Sequence, residues 1–466
     1  MVYEAMIGLE VHAELNTKTK MYCSCENAFG GERNTRICPV CTGQPGVLPV
    51  LNKVAVEKAI LVGRMMNCTI AKRTRQYRKH YRYPDLPKGY QISQLTVPLC
   101  SNGRFEYFSG GAVNIADIRQ IHIEEDAGKL VHDGECTYVD YNRCGVPLIE
   151  IVTEPCFNSS VDAYAFLEAV RTMLLDIGVS DCRMEEGSLR VDVNVSTRRA
   201  GDKHLNHRVE MKNLATFSGA RRAIDYEIMR QLKMIDRGEE ILPLTMRWDD
   251  EKGVSIFMRD KESAADYRFI PEPDIPEIEI EFEETKLPES ETQRRKRLMG
   301  CLHSVQAMEI AKNKDLCAYF DRVSRCGAKE CAKFLIGCIA KLTNASNIPV
   351  WESHLTEDKF CAIITKLNEG KINGDGAKLL FEKLYFEDGE VDELIKSLEL
   401  ETCRDMSDYR FIANFVLVNN KKAVDDYKSG KKSVIGFLVG QCMRSSGKGM
   451  DANVFKEVLE EVLECL

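Results

Sequence analysis

The chain has 466 residues, of which 44% are hydrophobic and 29% charged, and its formal net charge at pH 7 is −8. This length is too great for one hydrophobic core and predicts roughly two or three domains. The acidic balance excludes a basic coat that binds nucleic acid without selectivity, and the lack of a long apolar run argues against a signal peptide and a membrane span.

The first predicted strand, within residues 7–12, carries an acidic and an imidazole side chain on one face. Glu10 and His12 are two positions apart, so in a strand they point to the same side of the sheet. Leu9 and Val11 point to the other side, where we expect a hydrophobic core.

Four cysteines follow directly: Cys23, Cys25, Cys38 and Cys41. Two close pairs separated by a short loop are typical of a tetrahedral structural zinc site, and four thiolates leave no open coordination position. Redox-active cysteines are the weaker alternative. Most of the other cysteines stand alone within apolar runs, which favours buried free thiols in a reducing cytoplasm.

The segment up to about residue 284 alternates short strands with helices, which is typical of an α+β domain with a large sheet. The predicted strands are Val113–Ile118, Val146–Ile151, Leu189–Val195 and Arg208–Lys212, and the predicted helices are Lys53–Met66, Val161–Ile177 and Gly219–Arg237. Prolines and like charges over residues 269–284 indicate a boundary or an extended connector. Beyond residue 289 the apolar spacing predicts helices at Lys333–Leu342, Thr356–Asn368, Gly376–Leu384, Ile412–Val418, Val434–Met443 and Asn453–Cys465.

Single carboxylates recur inside otherwise apolar predicted strands. Glu150 lies within residues 146–152, Glu210 within residues 208–211, and Glu124 and Glu125 directly follow residues 121–123. A buried carboxylate without a partner is costly, so it needs a cation or a solvated cleft. A single carboxylate of this kind could simply face solvent from an edge strand, but its recurrence favours a magnesium site. Manganese is an alternative, because a histidine such as His12 is a less usual ligand of magnesium.

Two further segments have a polar pattern that suits anionic ligands. Arg190, Asp192 and Asn194 alternate with apolar residues, as expected for a phosphate held through a metal or, equally, for a solvated strand face. Residues 78–90 alternate basic and aromatic side chains, which fits an anionic substrate, RNA or a plain structural loop. The sequence contains no P-loop and no dinucleotide-binding motif, so any ATP is held in another way.

Taken in order, these motifs resemble the GatB family, the B subunits of bacterial Asp/Glu-tRNA amidotransferases. The resemblance covers residues 7–16, 38–49, 83–94, 122–129, 142–154, 184–196, 209–214, 266–275, 370–381 and 426–441. It implies an ATP-dependent carbon–nitrogen ligase that phosphorylates the side-chain carboxylate of misacylated Glu-tRNA(Gln), Asp-tRNA(Asn) or both, and then amidates it with ammonia. It also implies a cytoplasmic heterotrimer with a GatC-like small subunit and a GatA-like amidase, which supplies the ammonia.

The same resemblance implies roles for individual residues. The positions that match the family's magnesium ligands are Glu10, His12, Glu125 and Glu150, with Glu124 and Glu210 as companions. Lys79 and Glu125 match the positions where an ammonia tunnel opens into the kinase site. Arg190 resembles a phosphate contact, and Asp192 is expected beside it at the ATP.

The architecture that the resemblance implies has three parts. A β-rich cradle with the zinc loop and a glutamine-synthetase-like kinase site is expected over residues 1–292, an all-α helical domain over residues 293–400, and a small tRNA-binding tail over residues 401–466. The tail carries a local basic set in an acidic chain, namely Lys421, Lys422, Lys428, Lys431, Lys432, Arg444 and Lys448.

The chain departs from the family pattern at Ala215, Arg247 and Ala265, where local substrate or nucleotide contacts are expected to differ. The alternative function is a catalytically silent paralogue that acts as a scaffold for tRNA and the amidase. The intact metal-binding positions argue against this alternative. The sequence leaves open which of the two misacylated tRNAs is the substrate.

Overall fold

The computed structural model describes residues 3–202, 204–260, 267–402, 406–446 and 450–465. The chain forms two compact units, Met1–Thr292 and Gln293–Leu466. The first is organised around a large mixed sheet and the second is helical, so the predicted α+β character is confirmed. The division into three domains stays a prediction.

The first unit contains short and long strands with three long helices between them. The strands are β1 (Tyr3–Glu14), β2 (Thr69–Ile70), β3 (Arg73–Thr74), β4 (Tyr77–His80), β5 (Tyr90–Ser93), β6 (Cys100–Ser109), β7 (Ala112–Glu125), β8 (Lys129–Asp133), β9 (Cys136–Asp140), β10 (Pro147–Thr153), β11 (Leu189–Arg199), β12 (Val209–Lys212), β13 (Leu244–Asp249), β14 (Val254–Asp260), β15 (Ile270–Pro271) and β16 (Ile278–Glu279). The helices are α1 (Lys53–Met65), α2 (Ser160–Asp176) and α3 (Phe217–Asp236).

Nine of these strands form one sheet in the order β14-β13-β12-β11-β1-β10-β7-β6-β2. Neighbouring strands are antiparallel except β12 and β13, which are parallel. The first strand of the chain therefore lies in the middle of the sheet, between β11 and β10. Because β1 has a paired strand on each side, side chains of β10 and β11 can lie next to those of β1 on the same face of the sheet.

The three helices cover one face of the sheet and leave the other face for polar groups. Contacts join α1 to β7, α2 to β6 and α3 to β11. Leu9 and Val11 of β1 are fully buried in this helix-covered core. Each helix begins at a polar cap whose side chain accepts backbone N–H hydrogen bonds: Asn52, Ser159 and Thr216.

The boundary between the units falls within α4 (Glu291–Leu298), so the second unit begins inside this helix. Its helices are α5 (Ser304–Ala311), α6 (Lys314–Val323), α7 (Ala328–Phe334), α8 (Ala340–Ser346), α9 (Glu357–Asn368), α10 (Gly374–Phe386), α11 (Val391–Ser397), α12 (Met406–Asn419), α13 (Lys421–Lys428), α14 (Ile435–Ser445) and α15 (Ala452–Cys465). A π-helical turn, Leu335–Ile339, joins α7 to α8. Two separate apolar clusters stabilise this unit, one within residues 298–400 and one within residues 409–463. Among the described residues no helix is both long and apolar enough to cross a membrane.

The predicted strands and helices are confirmed, with ends that differ by up to seven residues, except that residues 333–342 contain the end of α7, a π-helical turn and the start of α8 in place of one helix. The predicted connector over residues 269–284 is only partly irregular. It contributes β15 and β16, which pair with β4 and β3 in two small sheets. Proline in this segment is compatible with pairing because both strands are only two residues long and lie at sheet edges.

Candidate active site

The strands that flank β1 bring residues distant in sequence next to Glu10 and His12. His12 lies opposite Glu150 of β10, and Glu10 lies opposite Asp192 of β11. Glu150 is in turn opposite His122 of β7. Residues directly opposite in an antiparallel pair share a side of the sheet, so these groups line its uncovered face. We call this surface the carboxylate face; it comprises Glu10, His12, His122, Glu124, Glu150, Asp192 and Glu210.

One potential metal-binding group on this face combines an imidazole with two carboxylates. The ligand atoms of His12, Glu124 and Glu150 lie within 4.8 Å of one another. His12 Nε2 is 3.6 Å from one Glu150 oxygen, and His122 Nε2 is 3.2 Å from the other. Burial lowers the pKa of His12 to about 4, so its imidazole is neutral at pH 7 and offers a lone pair. Burial and the nearby charge of Glu124 raise the pKa of Glu150.

A second group of carboxylates lies beside the first. One oxygen each of Glu10, Asp192 and Glu210 lies within 4.8 Å of the others. Lys212 forms ion pairs with Asp192 and, at 2.9 Å, with Glu210. Asn194 Nδ2 donates to Glu10 at 2.9 Å. Three carboxylates around one ammonium leave excess negative charge, and this oxygen-rich set suits a hard divalent cation.

Glu125 does not join the carboxylate face. It follows Glu124 on β7, so its side chain points to the opposite side of the sheet. There it is buried, accepts a hydrogen bond from the Ile92 N–H at 2.9 Å and forms an ion pair with Lys88. Glu124, and not Glu125, is therefore grouped with His12 and Glu150 in this structure, and the metal-binding role expected of Glu125 stays a prediction.

Lys79 lies on β4, with its ammonium 5.0 Å from the centre of the Tyr267 ring. Its positive charge lowers the pKa of Glu150 against the larger raising effect of burial, so it acts on the carboxylate face. The structure pairs Glu125 with Lys88 instead of Lys79. The tunnel-opening role expected of Lys79 and Glu125 stays a prediction.

Arg190 extends the face toward the end of β1. Its Nη2 donates to Asp126 at 2.6 Å, and Arg143 Nε lies 3.7 Å from the same oxygen. Burial disfavours the charged form of Asp126, yet these two guanidinium groups hold its pKa below the usual value. Asp192, expected beside Arg190 at the nucleotide, belongs to the second carboxylate group.

Two cavities open at opposite ends of the carboxylate face. At the Glu10 end, a cavity of about 300 Å³ is lined by Gly8, Arg119 and Arg208 among others. At the Glu14 end, a cavity of about 770 Å³ lies between the loop at residues 27–33, the β8–β9 hairpin and the turn at residues 184–187. Two ligands could therefore reach the face from its two ends.

The four predicted cysteines form a separate group, which we call the cysteine cage. The sulfur atoms of Cys23, Cys25, Cys38 and Cys41 lie within 4.8 Å of one another, a spacing that fits a tetrahedral metal. The Cys38 N–H donates to Cys41 Sγ at 3.1 Å. The fully buried Lys20 donates to the Arg36 carbonyl at 2.8 Å and lies 3.9 Å from Cys41 Sγ. A hydrogen bond from Cys23, together with the Lys20 charge, lowers the pKa of Cys41 and favours its thiolate.

Several residues of the site were not singled out from the sequence: Glu14, Lys88, His122 and Lys212. The alternation of Glu10, His12 and Glu14 along β1 could have indicated Glu14, whereas the partners of the other three depend on strand pairing. Of the departures, Ala215 directly precedes the cap of α3, and Arg247 lies on β13. Ala265 and the tail residue Lys448 lie outside the described residues.

Comparison with known proteins identifies the family of this chain. A family profile described as the GatB/GatE catalytic domain matches residues 5–286, and a profile described as the GatB domain matches residues 318–463. The B subunit of the aspartyl/glutamyl-tRNA(Asn/Gln) amidotransferase of Caldicellulosiruptor bescii is 43% identical over 100% of both chains. The proteins of the same name from Thermoanaerobacter pseudethanolicus and Carboxydothermus hydrogenoformans are 42% and 40% identical, over 99% of this chain and at least 99% of theirs.

Proposed function

The chain belongs to the GatB family, and from this premise we propose that it is the B subunit of an aspartyl/glutamyl-tRNA(Asn/Gln) amidotransferase, a ligase of translation. The match of the catalytic-domain profile to residues 5–286 carries this proposal, because the same residues build the carboxylate face. The relatives match over their full length, which supports the same activity for the whole chain.

The proposed reaction activates the side-chain carboxylate of misacylated Glu-tRNA(Gln), Asp-tRNA(Asn) or both. A carboxylate is a poor electrophile, so ATP first transfers its γ-phosphoryl group to a carboxylate oxygen. Ammonia then attacks the acyl carbon, phosphate leaves, and the amide of Gln-tRNA or Asn-tRNA remains. The nucleophiles are the substrate carboxylate and ammonia, so the main task of this chain is to neutralise the charge of the phosphoryl group.

The carboxylate face fits the divalent cations that such a transfer uses. His12, Glu124 and Glu150 are suited to hold one cation, and Glu10, Asp192 and Glu210 a second. Bound magnesium, or manganese in its place, neutralises charge on the transferring phosphoryl group. Lys212 holds Asp192 and Glu210 together, while the neutral imidazole of His12 is already in the form that a metal ligand requires.

Cationic side chains around the face are suited to phosphate and carboxylate oxygens. Arg190, fixed by Asp126, can present its remaining N–H groups to a phosphate. Lys79, on β4, places a positive charge near Glu150, where it would attract the substrate carboxylate. We propose that these two residues orient the reacting groups.

The remaining expectations complete the proposal. The cysteine cage holds a structural zinc, and a GatA-like amidase and a GatC-like small subunit assemble with this chain in the cytoplasm. The amidase supplies ammonia, which explains why this chain needs no nucleophile for glutamine hydrolysis. The basic set of the tail, from Lys421 to Arg444, supplies phosphate contacts to tRNA that weaken with salt.

The test is amidation by the assembled heterotrimer. With Glu-tRNA(Gln) or Asp-tRNA(Asn), ATP, Mg²⁺ and glutamine or ammonium chloride, we expect Gln-tRNA or Asn-tRNA together with ADP and phosphate. The chain alone should hydrolyse no glutamine. An assembled complex that binds tRNA but forms no ADP and no amide with either tRNA contradicts the proposal and supports the silent scaffold.

A further inference from the structure

Three thiols of the second unit converge on one backbone carbonyl. Cys326 Sγ and Cys331 Sγ donate to the Val323 carbonyl at 2.9 and 3.3 Å. Cys361 Sγ lies 3.7 Å from the same oxygen. Cys326 ends a 3-10 turn that follows α6, Cys331 lies on α7 and Cys361 lies on α9. We call these three residues the thiol cluster; it lies in a unit to which the proposed amidation assigns no chemistry.

The closest pair in the thiol cluster is Cys326 and Cys331, whose sulfur atoms are 3.4 Å apart. Gly327 lies between them with a φ of 132°, a conformation that residues with a side chain rarely adopt, and it turns the chain from the 3-10 turn into α7. Both thiols are free. A disulfide bond is about 2.05 Å long, so the two sulfur atoms need only a small approach to become bonded.

The surroundings of Cys326 slow its ionisation without preventing it. A hydrogen bond with Cys331 and burial raise the pKa of Cys326, whereas a hydrogen bond with Cys361 lowers it. Arg325 hydrogen-bonds to Cys361 in turn, and its Nη2 donates to Asp358 at 2.6 Å. A guanidinium beside thiols favours the thiolate, which is the reactive form. The thiol cluster is therefore mostly protonated and reacts through a small thiolate fraction.

The two thiols of the closest pair differ in their access to solvent. Cys326 is partly exposed, whereas Cys331 is fully buried. An oxidant in solution therefore meets Cys326 first, and Cys331 is placed to attack the product. Within the part of the chain that the structure describes, the thiols spaced closely enough to hold a metal ion are those of the cysteine cage. This spacing favours oxidation over metal binding for the thiol cluster.

We propose that Cys326 and Cys331 form a reversible disulfide when the protein meets hydrogen peroxide. The Cys326 thiolate attacks one peroxide oxygen, so an S–O bond forms, the O–O bond breaks, and the departing hydroxide takes up the proton that Cys326 released. The Cys331 sulfur then attacks the Cys326 sulfur. The S–S bond forms, the S–O bond breaks, and the hydroxyl group leaves with the Cys331 proton as water. The sulfur atoms lose two electrons, which reduce the peroxide to water.

Peptide mapping by mass spectrometry tests the proposal, because trypsin separates the three thiols. Cleavage places Cys326 in residues 326–329, Cys331 in residues 330–333 and Cys361 in residues 360–366. The folded, zinc-loaded full chain is treated with hydrogen peroxide, and its remaining thiols are then alkylated. We expect the first two peptides to be joined by a disulfide, and dithiothreitol should release them.

Cys301 is the internal control, because it is an exposed thiol of the same unit and lies outside the thiol cluster. We expect the Cys326–Cys331 disulfide to exceed any disulfide of Cys301 by at least about tenfold, since a resolving thiol is in contact with only one of these two cysteines. Cys301→Ser should form the Cys326–Cys331 disulfide as wild type does.

Two variants separate the roles within the cluster. Cys331→Ala removes the resolving thiol, so Cys326 should accumulate as a sulfenic acid that dimedone traps. Cys361→Ala keeps the closest pair and should still form the disulfide. Thermal unfolding in reducing buffer shows whether each variant is folded, and the wild-type and Cys361→Ala maps suffice if Cys331→Ala folds poorly.

Two outcomes overturn the inference. In the first, residues 326–329 and 330–333 stay unlinked in the folded wild-type chain at a peroxide dose that oxidises Cys301. In the second, Cys326 is linked to Cys361 in place of Cys331. Neither outcome concerns amidation, so the inference and the proposed function can fail separately.

Discussion

The cysteine cage takes its four thiols from residues 23–41, whereas the carboxylate face takes its ligands from five strands between residues 10 and 210. In the cage, all four sulfur atoms come from one short segment of the chain. On the face, Glu10, His122 and Glu210 meet only because their strands pair in one register. A local site is robust to changes elsewhere in the sheet, but a site built by register is lost if one strand slips by one residue.

The two sites also differ in what compensates their negative charge. In the cage, the Cys38 N–H and the buried Lys20 lie close to the sulfur of Cys41. On the carboxylate face Lys212 pairs with the second carboxylate group, while burial and the charge of Glu124 raise the pKa of Glu150 in the first. This difference predicts a tightly held structural metal in the cage and an exchangeable, functional metal on the face.

The largest expected effect comes from removing a charge at the centre of the carboxylate face. Glu150→Gln in the assembled complex should lower ammonium-dependent amidation by at least about a hundredfold, because a ligand of the phosphoryl-neutralising cation is lost. Zinc content and the amidase's glutaminase activity should persist. The control is Glu168→Gln, on the exposed side of α2, and near-normal amidation by Glu150→Gln would remove the metal role of the face.

The neighbours Glu124 and Glu125 test whether strand alternation assigns the ligand correctly. Glu124→Gln should lower amidation nearly as much as Glu150→Gln while leaving the fold intact. Glu125→Gln should instead lower the free energy of unfolding by about 3–5 kcal/mol, because it breaks a buried ion pair with Lys88. Denaturant titration and single-turnover amidation separate the two effects. If Glu125→Gln lowers amidation instead and Glu124→Gln lowers the free energy of unfolding, Glu125 is the metal ligand.

Loss of one cage thiol should affect stability more than chemistry. Cys38→Ser should reduce bound zinc from one per chain to well below one and lower the Tm, since three thiolates hold zinc less tightly than four. Cys136→Ser, at an exposed cysteine outside the cage, is the control. Elemental analysis and thermal unfolding give the readout, and unchanged zinc in Cys38→Ser contradicts the assignment.

The smallest expected effect concerns the charge beside the cage. Lys20→Met should weaken zinc affinity about tenfold, because an outer partner of a thiolate ligand is removed. Competition with a chromogenic chelator measures this affinity, and Lys18→Met, at an exposed position, is the control. Equal zinc affinity in both variants would mean that Lys20 serves packing alone.

Much of this protein follows from its sequence by itself. The cage is set by cysteine spacing, and α1, α2 and α3 begin at Asn52, Ser159 and Thr216, whose short polar side chains accept the first N–H groups of a helix. The alternation of Glu10 and His12 with Leu9 and Val11 assigns a polar and a core face to β1 before any partner strand is known. These features depend on neighbours within a few residues.

Only the tertiary structure decided which polar residues meet. Glu124, and not Glu125, lies on the side of β7 that faces Glu150, and the pairing of Glu125 with Lys88 depends on the approach of a distant loop. Asp192 joins Glu10 because β11 is antiparallel to β1 in one specific register. Side chains alternate at every residue of a strand, so a shift of one position reverses each of these assignments, and no local pattern encodes it.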